Sequence, residues 1–154
     1  NSYSGSINLF FFGMTKSQVV NYMKNNAAIP YSDADGTQEF GIRGPSVGSM
    51  SWTSVPMHYQ LQKGSYFGVR HHLIVFEGGY SSSYGDDWCY GQTHKEYWSW
   101  INPGPNHFLY DDAFDLARTQ FNQAMNGAKP MSNMYLYSEF PNYADGYAYT
   151  YWMG

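Results

Sequence analysis

Charge is scarce in this 154-residue chain: Asp, Glu, Lys and Arg make up 13% of it, about half the share usual in a soluble domain. The eight Lys and Arg residues form no cluster and the formal net charge is −4, which excludes the basic footprint of a nucleic-acid binder. Cysteine is nearly missing. Cys89 alone excludes an internal disulfide framework and any zinc site built on several thiolates. Apolar runs reach only the length of Leu9 to Phe12, far below the ~20 residues of a membrane-spanning helix. No asparagine stands in an Asn-x-Ser/Thr sequon, so N-glycosylation of that type is not expected.

What is abundant is aromatic: 20% of the residues, with 16 Tyr beside 16 Gly. Few charges and many rings are the reverse of a disordered composition, and the length suits one domain spanning residues 1–154. The Tyr, Ser, Gly and Asn richness, with a start at Asn1 rather than Met, predicts an exported protein, extracellular or at the cell surface.

Hydrophobic patterning predicts the elements. Ile7 to Phe12, apolar and aromatic apart from Asn8 and closed by Gly13, has the pattern of a buried strand. Thr15 and Gln18 have capping-box spacing, and Val19, Val20 and Met23 give the following helix one apolar stripe that fades at Asn25-Asn26. Residues 30–56 show no sustained period and read as a long irregular excursion, with "DADG" at Asp33–Gly36 as a tight polar turn. Met57–Gln62, Tyr66–Glu77 and Thr93–Ile101 read as strands, with Gly78–Gly91 as a Gly/Ser/Tyr-rich loop. A last helix begins at Asp111 or Asp112 and buries Phe114, Ala117, Phe121, Ala124 and Met125. The expected fold is α+β, in the order β-α-β-β-β-α: a single, mainly antiparallel sheet with two helices on one face. A Tyr-rich extension over 128–154 follows, free to pair at the sheet edge.

Four blocks in this order carry a resemblance: "INLFFFG", "RHHLIVF", "WCYGQTHKE" and "NHFLYDDAFDLARTQF". Over residues 5–127 the chain resembles the LssY C-terminal domain family, in which a strand-Gly start leads to a helix. An Arg-His-His strand, a Gly-containing strand and a His-led Asp/Arg-bearing helix follow. The resemblance implies that Arg70, His71, His72, His107, Asp111, Asp115 and Arg118 occupy matched positions. Asn106-His107 replaces the family's tandem His, Tyr110-Asp111-Asp112 replaces its acidic turn, and the Tyr-rich tail has no counterpart. Members often attach this domain to membrane proteins with a phosphatase-like domain, and its own activity is not established. The resemblance therefore speaks to fold more than to reaction.

The stretch "GVRHHLIVF" puts two of the five histidines side by side, and a strand sends neighbours to opposite faces. His71 then shares a face with Val69, Leu73 and Val75, and His72 one with Arg70, Ile74 and Phe76. Two readings of the wider set are open. In the first it is structural: a strand histidine donates to a helix N-cap aspartate and Arg70 pairs with Asp111 or Asp115. Arg70, His71, His72, Asp111, Asp115 and Arg118 then pin the last helix to the sheet. In the second, His72 (or His71), His94 and His107 converge with Asp111 or Asp112. That set offers catalytic candidates (His72, His94, His107, Asp111) for a hydrolase and ligands (His72, His94, His107, Asp112) for a divalent metal. The first reading leads and needs no cofactor. No Gly-x-Ser-x-Gly elbow is present, and Cys89, five residues before His94, lacks a third, orienting group.

The rings exceed what a small core holds. Trp98 and Trp100 share a strand face, and Tyr147, Tyr149 and Tyr151 stand two apart, with Trp152 beside them. These six are the expected contact residues of a non-catalytic module. Its partners would be further copies of the chain in an oligomer or filament, another surface protein, or a glycan.

Overall fold

A computed structural model of the chain describes residues 7–40, 43–45, 52–54, 57–83, 85–101, 105–110, 113–125, 131–135 and 147–153, with residues 35–40, 43–45, 52–54, 57, 114 and 131–135 described by backbone alone. The elements are β1 (Leu9–Phe12), α1 (Lys16–Asn25), β2 (Ser32–Phe40), β3 (Arg43–Pro45), β4 (Trp52–Ser54), β5 (Met57–Gly64), β6 (Val69–Ser81), β7 (Asp86–Ser99), β8 (Asn106–Leu109), α2 (Ala113–Ala124), β9 (Met131–Tyr135) and β10 (Tyr147–Trp152). One sheet runs β2-β5-β6-β7-β1-β10-β9, with β8 on the far half of β7, and β3–β4 is a separate hairpin. All described pairings of the main sheet are antiparallel except β1 with β10. The class is α+β, as expected.

Strand alternation sorts the core into two layers. Leu9, Phe11, Leu61, Leu73, Val75, Cys89 and Tyr151 point to one face and meet Val19, Val20 and Met23 of α1 and Phe121, Ala124 and Met125 of α2. Both helices thus lie on that face, each burying the stripe its sequence period supplies. On the far face Phe10, Ile74, Phe76, Tyr90 and Ala148 form a second cluster, with Trp88 packed against it. α1 starts where the sequence placed it: Thr15 accepts from the Gln18 backbone and the Gln18 side chain accepts from the Thr15 backbone.

Four stretches depart from the sequence reading. Residues 30–56 contain β2, β3 and β4. The polar run Ser32–Phe40 is a strand because β5 pairs with it, and Asp33–Gly36 is no isolated turn but lies at the register shift between Asp33 and Gln38. The Gly78–Gly91 "loop" is mostly two strand arms, since β6 runs on to Ser81 and β7 starts at Asp86. Gly78 is the extra residue of a bulge there, and the Trp88 ring lies where a Cβ on Gly78 would stand, 2.5 Å from the nearest ring atom. β8, the short Asn-His-Phe-Leu run, carries too little period to be seen in the sequence.

The fourth departure is the C-terminal extension. β10 lies inside the sheet, parallel to β1 (Leu9 opposite Tyr149, Phe11 opposite Tyr151) and antiparallel to β9. Tyr151 is 1% exposed, its ring stacked on Phe11 at 5.8 Å and edge-on to Phe121 at 5.7 Å.

Phe121 also meets Phe11 and Tyr31 at 6.0 Å, so it sits at the centre of the helix-side core. Phe121→Ala is expected to cost about 3–5 kcal/mol, read as a lowered urea midpoint at unchanged slope. A loss below about 1 kcal/mol would show that α2 does not seal this layer.

Candidate functional site

The pairing of β6 with β7 sets Arg70 opposite Glu96 and His72 opposite His94. β5 adds Gln62 opposite His72, and Gln60 lies opposite Ile74 on the same face. Three adjacent strands therefore bring Gln60, Gln62, Arg70, His72, Gln92, His94 and Glu96 together on the face away from the helices. Arg70, His72, His94 and Glu96 are all buried.

Most polar groups here have a definable partner, whereas the buried Gln92 Nε2 has none among the described residues. Arg70 holds Glu96 Oε1 through both Nε and Nη2, and its Nη1 donates to Gln62 Oε1 at 3.0 Å. His72 Nε2 lies 2.8 Å from Gln60 Oε1, and His94 Nδ1 lies 3.0 Å from Gln92 Oε1. An amide oxygen only accepts, so those two ring nitrogens carry protons. The remaining ring nitrogens, His72 Nδ1 and His94 Nε2, stand 3.3 Å apart. Nε2 is 3.1 Å from Glu96 Oε2, and Nδ1 is 3.5 Å from Oε1. Burial would raise the Glu96 carboxyl, but its contacts with the polar groups of His94, His72 and Arg70 outweigh that and hold it well below the carboxylate range. Burial, reinforced by His94, keeps the His72 imidazole neutral, its pKa far below its ordinary value.

The structure divides the set read from sequence. His72 and His94 meet. His107 stands apart on β8, its Nε2 2.8 Å from the Tyr66 carbonyl oxygen and its ring edge-on to Tyr66 (4.6 Å) and Trp98 (4.8 Å). Asp111 and Asp112 lie outside the described residues. Glu96 takes the carboxylate position on Arg70, while Asp115 stands on α2 with its Oδ1 4.0 Å from Arg118. Arg118 donates to the Tyr147 carbonyl at 2.7 Å and lies over the Tyr149 ring, tying α2 to β10. His71 faces the helix side, where Gln120 of α2 hydrogen-bonds to it. One expected network is therefore three separate ones. Glu96 was missed: Gln92, His94 and Glu96 stand two apart, the spacing of one strand face, but Thr93 and Lys95 between them are polar too, so only the register with Arg70 and His72 singles that face out.

Cys89 lies on the face opposite His94, and burial pushes its thiol pKa up, so it stays an unreactive thiol. A shallow depression of about 300 Å³ beside α1, lined by Met14, Ser17, Gln18, Asn21, Tyr22 and Asn26, is remote from the histidines in the lining it offers.

The other chemical feature is a ring cluster at the β5–β6 turn. Gly64 has φ +116°, and Ser65 and Gly68 close the turn, leaving Tyr66 and Phe67 at its tip. Phe67 stacks on Trp100 (5.2 Å, 19°) and meets Trp98 edge-on, and Tyr66 packs on Trp98 and beneath the Arg70 guanidinium. Phe67 is 59% exposed, Trp100 65% and neighbouring Ile101 77%. Of the six contact residues expected, Trp100, Tyr147 and Trp152 are exposed, Trp98 and Tyr149 are half-buried, and Tyr151 belongs to the core, because β1 and α2 enclose it.

No family model, curated protein or solved structure matches this chain.

Burial, with the positive charges of Lys63 and Lys95, lowers the His71 pKa from 6.5 to about 4 against the Gln120 hydrogen bond. The unfolded chain therefore takes up this proton near pH 6.5 and the folded one only near 4, so stability falls as pH drops through that window. The melting temperature is expected to decline from pH 6.5 to 4, and His71→Gln should flatten the decline. An unchanged slope in that variant would place the titration elsewhere.

Proposed function

We propose that this chain is a non-catalytic module, exported to the cell surface or beyond, that associates with further copies of itself through the aromatic cluster around the β5–β6 turn. The observation that carries the reading is the grouping of Tyr66, Phe67, Trp98 and Trp100, with Phe67, Trp100 and Ile101 mostly in solvent. An apolar patch of this kind on a chain with so little charge supports contact with another protein surface. Tyr and Trp give large contact area at small entropic cost. The C-terminal extension contributes Tyr147 and Trp152 as a smaller second contact, while Tyr151 serves the core. The ring edges mostly meet at steep angles, which suits a partner of protein shape better than the flat platform a sugar ring stacks on. The order of the Arg-His-His strand, the next strand and the Asp/Arg helix supports a distant relation to the LssY C-terminal domains.

Sedimentation velocity across a wide concentration range tests the reading. The native chain is expected to associate as concentration rises, and Phe67→Ser with Trp100→Ser to remain monomeric at nearly unchanged stability, within about 1 kcal/mol for two exposed sites. Monomers at every concentration would overturn self-association, and binding of the monomer to a glycan array through the same rings would transfer the surface to sugars.

A further inference from the structure

We propose that His72 Nδ1, His94 Nε2 and the Glu96 carboxylate bind one divalent transition-metal ion, zinc by the chemistry of the donors, independently of any surface association. The argument starts from the second nitrogens. Gln60 Oε1 takes the proton on His72 Nε2 and Gln92 Oε1 the proton on His94 Nδ1. Both imidazoles therefore turn an unprotonated nitrogen toward the same point, where Glu96 presents its carboxylate. Three electron-pair donors lie there within 4.8 Å of one another, all three residues buried. A metal ion at that point would be bound by all three at once.

The spacing is compatible with the ion. Donors bound at about 2.0–2.1 Å in a tetrahedron stand roughly 3.3 Å from each other. His72 Nδ1 and His94 Nε2 stand 3.3 Å apart and Glu96 Oε2 lies 3.1 Å from His94 Nε2, while Oε1, the oxygen that Arg70 holds, is 3.5 Å from His72 Nδ1. Metal-bound histidines characteristically donate their other N–H to an oxygen, which fixes tautomer and ring angle, and the two glutamines supply that support. Arg70 does the same for the carboxylate, holding Oε1 and leaving Oε2 toward the histidines. Two imidazoles and a carboxylate suit Zn²⁺ well and Mg²⁺ or Ca²⁺ poorly. The three ligands come from directly paired strands, so the bound ion would staple β6 to β7.

The test is a titration of the chelator-stripped, full-length chain with Zn²⁺ and, for its visible bands, Co²⁺. The expected result is saturable binding of one ion per chain, tetrahedral Co²⁺ absorption and a melting temperature that rises with metal. Glu96→Gln and His94→Gln should abolish the Co²⁺ spectrum, and Gln92→Leu should weaken binding about 10- to 100-fold. His107→Gln, whose ring is engaged with Tyr66, should bind as the native chain does. Should His94→Gln fail to fold, the native titration and Glu96→Gln decide alone. Absence of one-to-one binding by the native chain, or undiminished binding by Glu96→Gln, overturns the site; the latter paired with loss in His107→Gln would place the ion elsewhere.

Discussion

The ion pair between Arg70 and Glu96 governs the far face of the sheet. Two opposite charges directly across a β6–β7 rung are both withdrawn from water, a situation that is costly for either alone. Because Arg70 engages one carboxylate oxygen, the other faces His94, and the remaining polar side chains fall into place around that choice. Gln62 occupies the spare guanidinium donor, and Gln60 and Gln92 occupy the outer nitrogens of the two imidazoles. A buried hydrogen-bonded set of this kind fixes strand register, since a slip by one residue would send every member into the apolar layer under the helices.

The same guanidinium links this interior to the surface. Its plane covers the Tyr66 ring, and Tyr66 in turn carries Trp98, Phe67 and the His107 edge. The exposed rings therefore rest on a rigid polar base, and a partner meeting them would encounter side chains already ordered. The adjacent histidines of β6 divide the labour between faces. His72 belongs to the far-face network, whereas His71 joins the helix side near Lys63, Lys95 and Gln120.

Local period made much of the fold legible. Val19, Val20 and Met23, with Thr15 and Gln18 before them, specify α1 almost completely, and Leu73 to Phe76 specify a strand covered on both sides. Where pairing rather than period makes a strand, the sequence was mute. Ser32–Phe40 has the composition of a turn and is a strand through its β5 partner, and the Tyr147–Trp152 strand gains its central place only from β1 and β9. In the candidate site, His72 (or His71) and His94 stood out with His107 as one set, but which of them met and which acid joined them depended on register. Asp115 is attractive in the chain because an Asp and an Arg recur on one helix turn. Glu96 prevails because it lies across the rung from Arg70.

The parallel joining of β1 to β10 has a consequence for synthesis. Strand β1 is made long before β10, and one of its edges stays bare until Tyr147–Trp152 has followed it. An apolar Leu-Phe-Phe-Phe edge that waits so long offers its unpaired amides to any neighbouring chain. Folding should accordingly be slow, dominated by closure of the longest loop the topology allows, and nascent copies on one message would benefit from a chaperone until that closure is made.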